Sequence, residues 1–144
     1  MEKKCIIAKL NMISDASNKF LTRKIKEEQL SILQNHAMLF NILPEDGSKL
    51  LFNEIASTWK ISKSSLSDII NKYENQGLIK KCVCDSDKRS VYISLASKGI
   101  YVKQKLQGVE QEFLNLLLED FDQEQRTTFE DDIDKALKNI IKML

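Results

Sequence analysis

Apolar residues recur at helical spacing along four stretches of this chain, and only one window near its middle changes to the alternation of a strand. In residues 4–26, Ile6, Leu10, Ile13 and Phe20 fall near one face; in 31–43 the set is Leu33, Ala37 and Phe40 with Met38 and Ile42. Towards the other end, Val102, Leu106, Val109, Phe113, Leu116 and Leu117 stripe residues 97–118. Phe129, Ile133, Ala136, Leu137, Ile140 and Ile141 do the same for 123–144. Spacings of three and four residues of this kind predict amphipathic helices.

The central window is more specific. Ser62 carries a hydroxyl able to accept a backbone N–H at a helix start, and Leu66, Ile69, Ile70 and Tyr73 follow on one face. The opposite face holds Lys63, Ser64, Ser65, Ser67, Asp68, Asn71 and Lys72, short hydrogen-bonding groups and cations of the kind that suit base edges and phosphates. Gly77 supplies a left-handed stop, after which Leu78, Ile79, Val83, Val91, Ile93 and Leu95 give two short β runs around a polar tip from Asp85 to Ser90. Upstream, Phe52 to Trp59 forms a helix with Ile55 and Ala56 inward, and Lys60 to Ser62 makes a short turn into the next helix. Two helices, a tight turn and a hairpin describe a winged helix-turn-helix, a unit whose second helix enters the DNA major groove. A winged module used only for protein contacts is the alternative, since fold does not fix function.

From about Ser31 to Gly99 the chain resembles the MarR (multiple antibiotic resistance regulator) family of bacterial transcription factors. The likeness rests on DSDKRSVYISLASKG (Asp85 to Gly99), similar to the family's Asp-x-Arg wing and Leu-Thr-x-x-Gly helix start, and on EIASTWKISKSSLSDIINKYENQGLIKK (Glu54 to Lys81), similar to its paired helices and Gly-Leu-Ile exit. The resemblance implies that Arg89 reaches a minor groove, that Asp87 holds its guanidinium by a bidentate pair, and that Lys88 contacts a phosphate. It also implies that Ser62, Lys63, Ser64, Ser65, Ser67, Asp68, Asn71 and Lys72 face the major groove. Asp68 departs from the pattern, standing where the family often has a cation, and Ala96 replaces the usual Thr.

The formal net charge of +1 looks neutral until it is divided by region. Residues 60–105 carry ten Lys/Arg against four Asp/Glu, and residues 106–144 carry four against ten. The positive surface therefore coincides with the winged motif. With 144 residues and 42% apolar positions, the chain is expected to form one domain: residues 1–30 and 106–144 as dimerisation helices and 31–105 as the winged helix-turn-helix. The expected fold class is mainly α with a small β-hairpin wing (α+β). A winged unit needs only about 70–80 residues, so the flanking stripes must be covered elsewhere. A two-fold homodimer does this, as the resemblance also implies, and an intramolecular cap is the other solution.

Candidate chemistry beyond DNA is thin. Cys5, Cys82 and Cys84 are expected to be reduced thiols. Cys5, near Lys3 and Lys4 at the start of the first helix, is a candidate redox sensor by resemblance, or else buried filler. His36 is the single histidine; the resemblance implies a cleft for a small aromatic or phenolic effector that His36 could line, and a hydrogen-bonded structural histidine is the simpler reading. No metal site, cofactor or catalytic motif is legible, no stretch reads as a membrane span or secretory signal, and a cytoplasmic regulator, a repressor by resemblance, is expected.

Overall fold

The computed structural model describes residues 5–83, 86, 87 and 89–144. Its helices are α1 (Ile6–Glu27), α2 (Ala37–Ile42), α3 (Phe52–Trp59), α4 (Lys63–Asn75), α5 (Ser97–Leu117) and α6 (Gln123–Ile141), with a 3₁₀ turn at Gln34–His36 before α2. Strands β1 (Leu50–Leu51), β2 (Ile79–Val83) and β3 (Val91–Leu95) form one antiparallel sheet in the order β1-β3-β2. Two compact units divide the chain, Met1–Glu110 and Gln111–Leu144.

In the first unit the core gathers where α2, α3 and α4 meet the sheet and the first half of α5. Leu39, Phe40, Leu43, Ile55, Leu66, Tyr73, Ile93 and Leu106 are fully enclosed there. The back of α4 is thus the face that its apolar spacing predicts, with Ile69 half-buried at the margin. Gly77 stops the helix at φ 76°, and the Leu78 N–H returns to the Tyr73 carbonyl at 2.9 Å, the six-to-one bond of a Schellman ending. The buried Lys103 of α5 donates to the Asn41 and Leu43 carbonyls at 3.2 and 2.8 Å, so its cation serves the exposed carbonyl end of α2.

The expected helix over 31–43 starts late and is short, with only the 3₁₀ turn Gln34–His36 and α2 Ala37–Ile42 helical. Leu33 is extended (φ −90°, ψ 145°), and its N–H is donated to the Tyr73 hydroxyl at 3.1 Å instead of to a helical carbonyl. The wing is also larger than a hairpin: Leu50 pairs with Ile93 and Leu51 with Tyr92, adding a third strand that covers the inner edge of β3. In the second unit α6 opens with a capping box between Asp122 and Gln125. The Phe121 and Phe129 rings meet edge to face, and Arg126 donates to the Leu118 carbonyl at 3.1 Å.

Gly99 has a steric reason for its place at the start of α5. A Cβ there would lie 2.1 Å from the Leu78 carbonyl oxygen, which already accepts the Ala96 N–H at 2.9 Å. Backbone on both sides cannot yield as a flexible side chain would. Gly99→Ala is therefore expected to destabilise the fold by about 3 kcal/mol, read as a lowered urea midpoint. Gly108→Ala, with open space around its Cβ in the middle of the same helix, should be neutral or stabilising.

Candidate nucleic-acid interface

The geometry of α4 begins with its cap. Ser62 is extended and its hydroxyl oxygen accepts the Ser65 N–H at 3.1 Å, while its own O–H is donated to the Ser65 hydroxyl at 2.9 Å. Ser62 is thereby a helix-start residue first, and the hydroxyl left to make further donations belongs to Ser65. Lys63, Ser64, Ser67, Asp68, Asn71 and Lys72 are all exposed. With Leu66, Ile70 and Tyr73 buried, the 3.6-residue period sets Ser64, Asp68 and Asn71 near the middle of the outward face. Asn75, exposed in the last turn of that face, belongs with them and was outside the sequence-based set; its one helical turn beyond Asn71 is the signal that identifies it.

Tyr73 fixes this helix from behind. Its hydroxyl accepts the Leu33 N–H and lies 2.7 Å from Nδ1 of His36, and its ring meets those of His36 and Phe40 edge to face at 5.6 and 5.4 Å. Tyr73 and His36 thus share one short hydrogen bond beside the one that the phenol oxygen accepts from Leu33. Desolvation by burial, and secondarily the charge of Lys72, hold the His36 pKa below its ordinary 6.5. His36 is half-buried and hydrogen-bonded to Tyr73. It is absent from the lining of the groove of about 400 Å³ formed by Gln29, Leu30, Ser31, Leu78, Ser97, Lys98, Tyr101 and Val102.

At the wing the structure corrects the role expected of Asp87. Its carboxylate does not clasp the Arg89 guanidinium: Oδ1 accepts the Arg89 backbone N–H at 3.0 Å and Oδ2 accepts the Ser90 hydroxyl at 3.0 Å, while the Ser90 N–H closes on the Asp87 carbonyl at 3.0 Å. Asp87 builds the turn, because a side-chain bond two residues along the chain is shorter in reach than one to the far end of an arginine. Arg89 is exposed and lines a cleft of about 140 Å³ with Phe52 and Asn53 at the start of α3. Lys88 and Cys84 lie outside the described residues.

The sequence reading also missed Lys81. From β2 its ammonium donates to Oδ1 of Asn71 at 2.6 Å and pairs with Glu74 at 3.5 Å, tying the wing to α4. Every residue of β2 after Ile79 is exposed, since it is the outer strand of the sheet, so no alternation singled Lys81 out. Cys5, the candidate redox residue, is exposed and free just before α1, rather than buried filler. Among the described residues no cluster of three or more His, Cys, Asp or Glu is set to hold a metal, and no helix is long and apolar enough to cross a membrane.

Residues 32–90 match the model of the MarR family. No curated protein sequence matches the chain. Among solved structures, a MarR transcriptional regulator from Methanosarcina mazei Go1 superposes with a TM-score of 0.85 at 19% identity, covering 99% of this chain and 100% of its own. Wild-type E. coli MarR in its apo form gives 0.75 at 14% identity over 95% and 99% of the two chains. S. aureus MepR, solved as a DNA complex, gives 0.75 at 21% identity over 93% and 97%. These likenesses fix the fold: the helices, sheet and wing of this chain follow the MarR arrangement along nearly its whole length.

The turn role of Asp87 separates two substitutions. Asp87→Asn keeps an oxygen for the Arg89 N–H and should retain wing geometry and most DNA affinity, whereas Asp87→Ala should lower affinity about tenfold; equal losses in an anisotropy titration would restore the guanidinium clasp. The depressed His36 pKa predicts that stability is full above about pH 6.5 and declines as pH falls and the unfolded chain takes up the proton first. Urea midpoints of the wild type against His36→Gln, which keeps an acceptor for Tyr73 but does not titrate, should diverge only on the acid side.

Proposed function

We propose that this chain, which carries a MarR-family winged helix-turn-helix over residues 32–90, is a sequence-specific double-stranded DNA-binding transcriptional regulator acting as a homodimer. The family is one of transcriptional regulators, not enzymes. The observation that carries the DNA reading is α4 itself: a helix buried along Leu66, Ile70 and Tyr73, capped by Ser62, with Ser64, Ser67, Asp68 and Asn71 turned outward and Arg89 exposed on the adjoining wing. Ser62, Lys63, Ser64, Ser65, Ser67, Asp68, Asn71 and Lys72 would meet the major groove and its phosphates, and Asp87, Lys88 and Arg89 the flanking backbone and minor groove.

Dimerisation is supported by what α1 and α6 leave uncovered. Ile6 is 66% exposed and Leu10 49% on α1, and Leu137 and Ile140 are each 54% exposed on α6, in each case as part of a stripe at helical spacing. Burying one such side chain contributes about 1.5–3 kcal/mol, and a second copy offers a matching surface. A dimer would set two copies of α4 in successive major grooves, on a pseudo-palindrome with half-sites about 34–36 Å apart.

The sign of regulation is repression in this reading, relieved by a small aromatic or phenolic acid. The groove of about 400 Å³ is lined by the apolar Leu30, Leu78 and Val102 together with Ser97, Lys98 and Tyr101, a mixed lining suited to such a ligand. To release DNA the ligand must bind the incompetent arrangement more tightly than the competent one. A regulator of this kind would act in the cytoplasm. Cys5, exposed at the start of α1, supports an oxidant-responsive variant of the same regulator only if its oxidation changes DNA affinity.

Selection of duplexes from a random library, followed by anisotropy titrations across a salt series, tests the reading. The wild type should bind a selected duplex at least about a thousandfold more tightly than scrambled DNA. Arg89→Ala should weaken that binding about tenfold and flatten its salt dependence. A chain that binds no DNA even at low salt, with Arg89→Ala without effect, is a protein-docking winged module instead.

A further inference from the structure

The hydrogen bond between the wing strand and α4 constrains what Asn71 can offer a base. A lysine ammonium has donors and no acceptor, so the Asn71 amide atom 2.6 Å from the Lys81 Nζ must be its oxygen. The chemistry of the partner therefore orients this amide, with no ambiguity between oxygen and nitrogen. Glu74, one turn further along α4, pairs with the same ammonium at 3.5 Å and keeps it over Asn71. Asn71 itself is exposed, on the outward face with Ser64 and Asp68.

A free asparagine reads adenine, its oxygen accepting from N6 and its amide nitrogen donating to N7. At Asn71 the oxygen already faces a cation. An adenine N6–H brought to it would meet the positive charge of Lys81, while the amide hydrogens remain available to acceptors. Guanine presents two acceptors in the major groove, N7 and O6, and thymine presents O4. We infer that Lys81 sets the base preference of α4: its charge at the Asn71 oxygen disfavours the adenine N6–H donor there, so that Asn71 acts mainly through its amide hydrogens and selects guanine or thymine over adenine. Lys81 is a positioning residue in this scheme, acting through Asn71. The inference rests on the DNA-binding reading and adds to it the identity of one base edge.

The same random-library selection, run with the full chain as wild type, Asn71→Ala, Lys81→Met and the double substitution, tests it. The base pair whose preference disappears in Asn71→Ala is the one Asn71 reads. Guanine or thymine is expected there in the wild type. Lys81→Met should shift the preference towards adenine by about tenfold in relative affinity, Glu74→Gln should shift it less in the same direction, and the double substitution should show no shift. Adenine at that pair in the wild type overturns the inference, as does an Asn71→Ala profile unchanged at every position. So does a Lys81→Met chain that binds all duplexes more weakly by the same factor with a shallower salt dependence, which marks a phosphate contact. A wild-type chain that selects no duplex removes the DNA reading and the inference with it, and is told apart from the other failures by having no profile to compare.

Discussion

Tyr73 is the point at which the first unit is held together. A helix that presents serines, an aspartate and an asparagine to solvent has little apolar surface left with which to keep its place, and α4 concentrates what it has in Leu66, Ile70 and Tyr73. The tyrosine buries a large ring yet retains one polar atom, which must be satisfied inside the core. Leu33 and His36, nearly forty positions earlier in the chain, satisfy it. That pairing holds Leu33 extended ahead of the 3₁₀ turn and seats the rings of Phe40 and His36 against α4. The orientation of the polar face is therefore decided on the buried side of the helix.

Two further restraints act on the wing. The Leu78 carbonyl approaches Gly99 so closely that no side chain fits between them, which sets the end of α4 and the start of α5 in a fixed relation. On the outside, Lys81 spans from β2 to Asn71 and Glu74, so that sheet and helix are joined by charge where they are no longer joined by packing. Near the tip, Asp87 satisfies the Arg89 N–H and the Ser90 hydroxyl.

Much of this was legible because it is local. The Ser62 cap, the apolar period of α4 and the Gly77 stop each depend on residues within one or two turns, and the structure follows the sequence at all three. What escaped depends on partners distant in the chain. Strand β1 is two residues long, too short to show alternation, and exists because β3 offers it a free edge. The extended backbone at Leu33 is held by a hydroxyl at position 73, and the reading of Asn71 depends on a lysine in a strand with no buried face beyond its first residue. Asp87 erred in the opposite sense: resemblance assigned it a long-range partner where a local turn already satisfied it. The face of α4 was legible as a surface, while its hydrogen-bonding character depended on the fold.

Charge is divided along the chain, positive across residues 60–105 and negative across 106–144, and apolar side chains of α1 and α6 stand exposed at helical spacing. The central claim is that two copies of α4 enter the major groove together. Dimethyl sulfate protection of guanine N7 on a selected duplex measures this directly, since N7 lies in that groove. Two protected patches about 10 base pairs apart on one face of the duplex are expected. A single patch, or none on a duplex that is demonstrably bound, would contradict it.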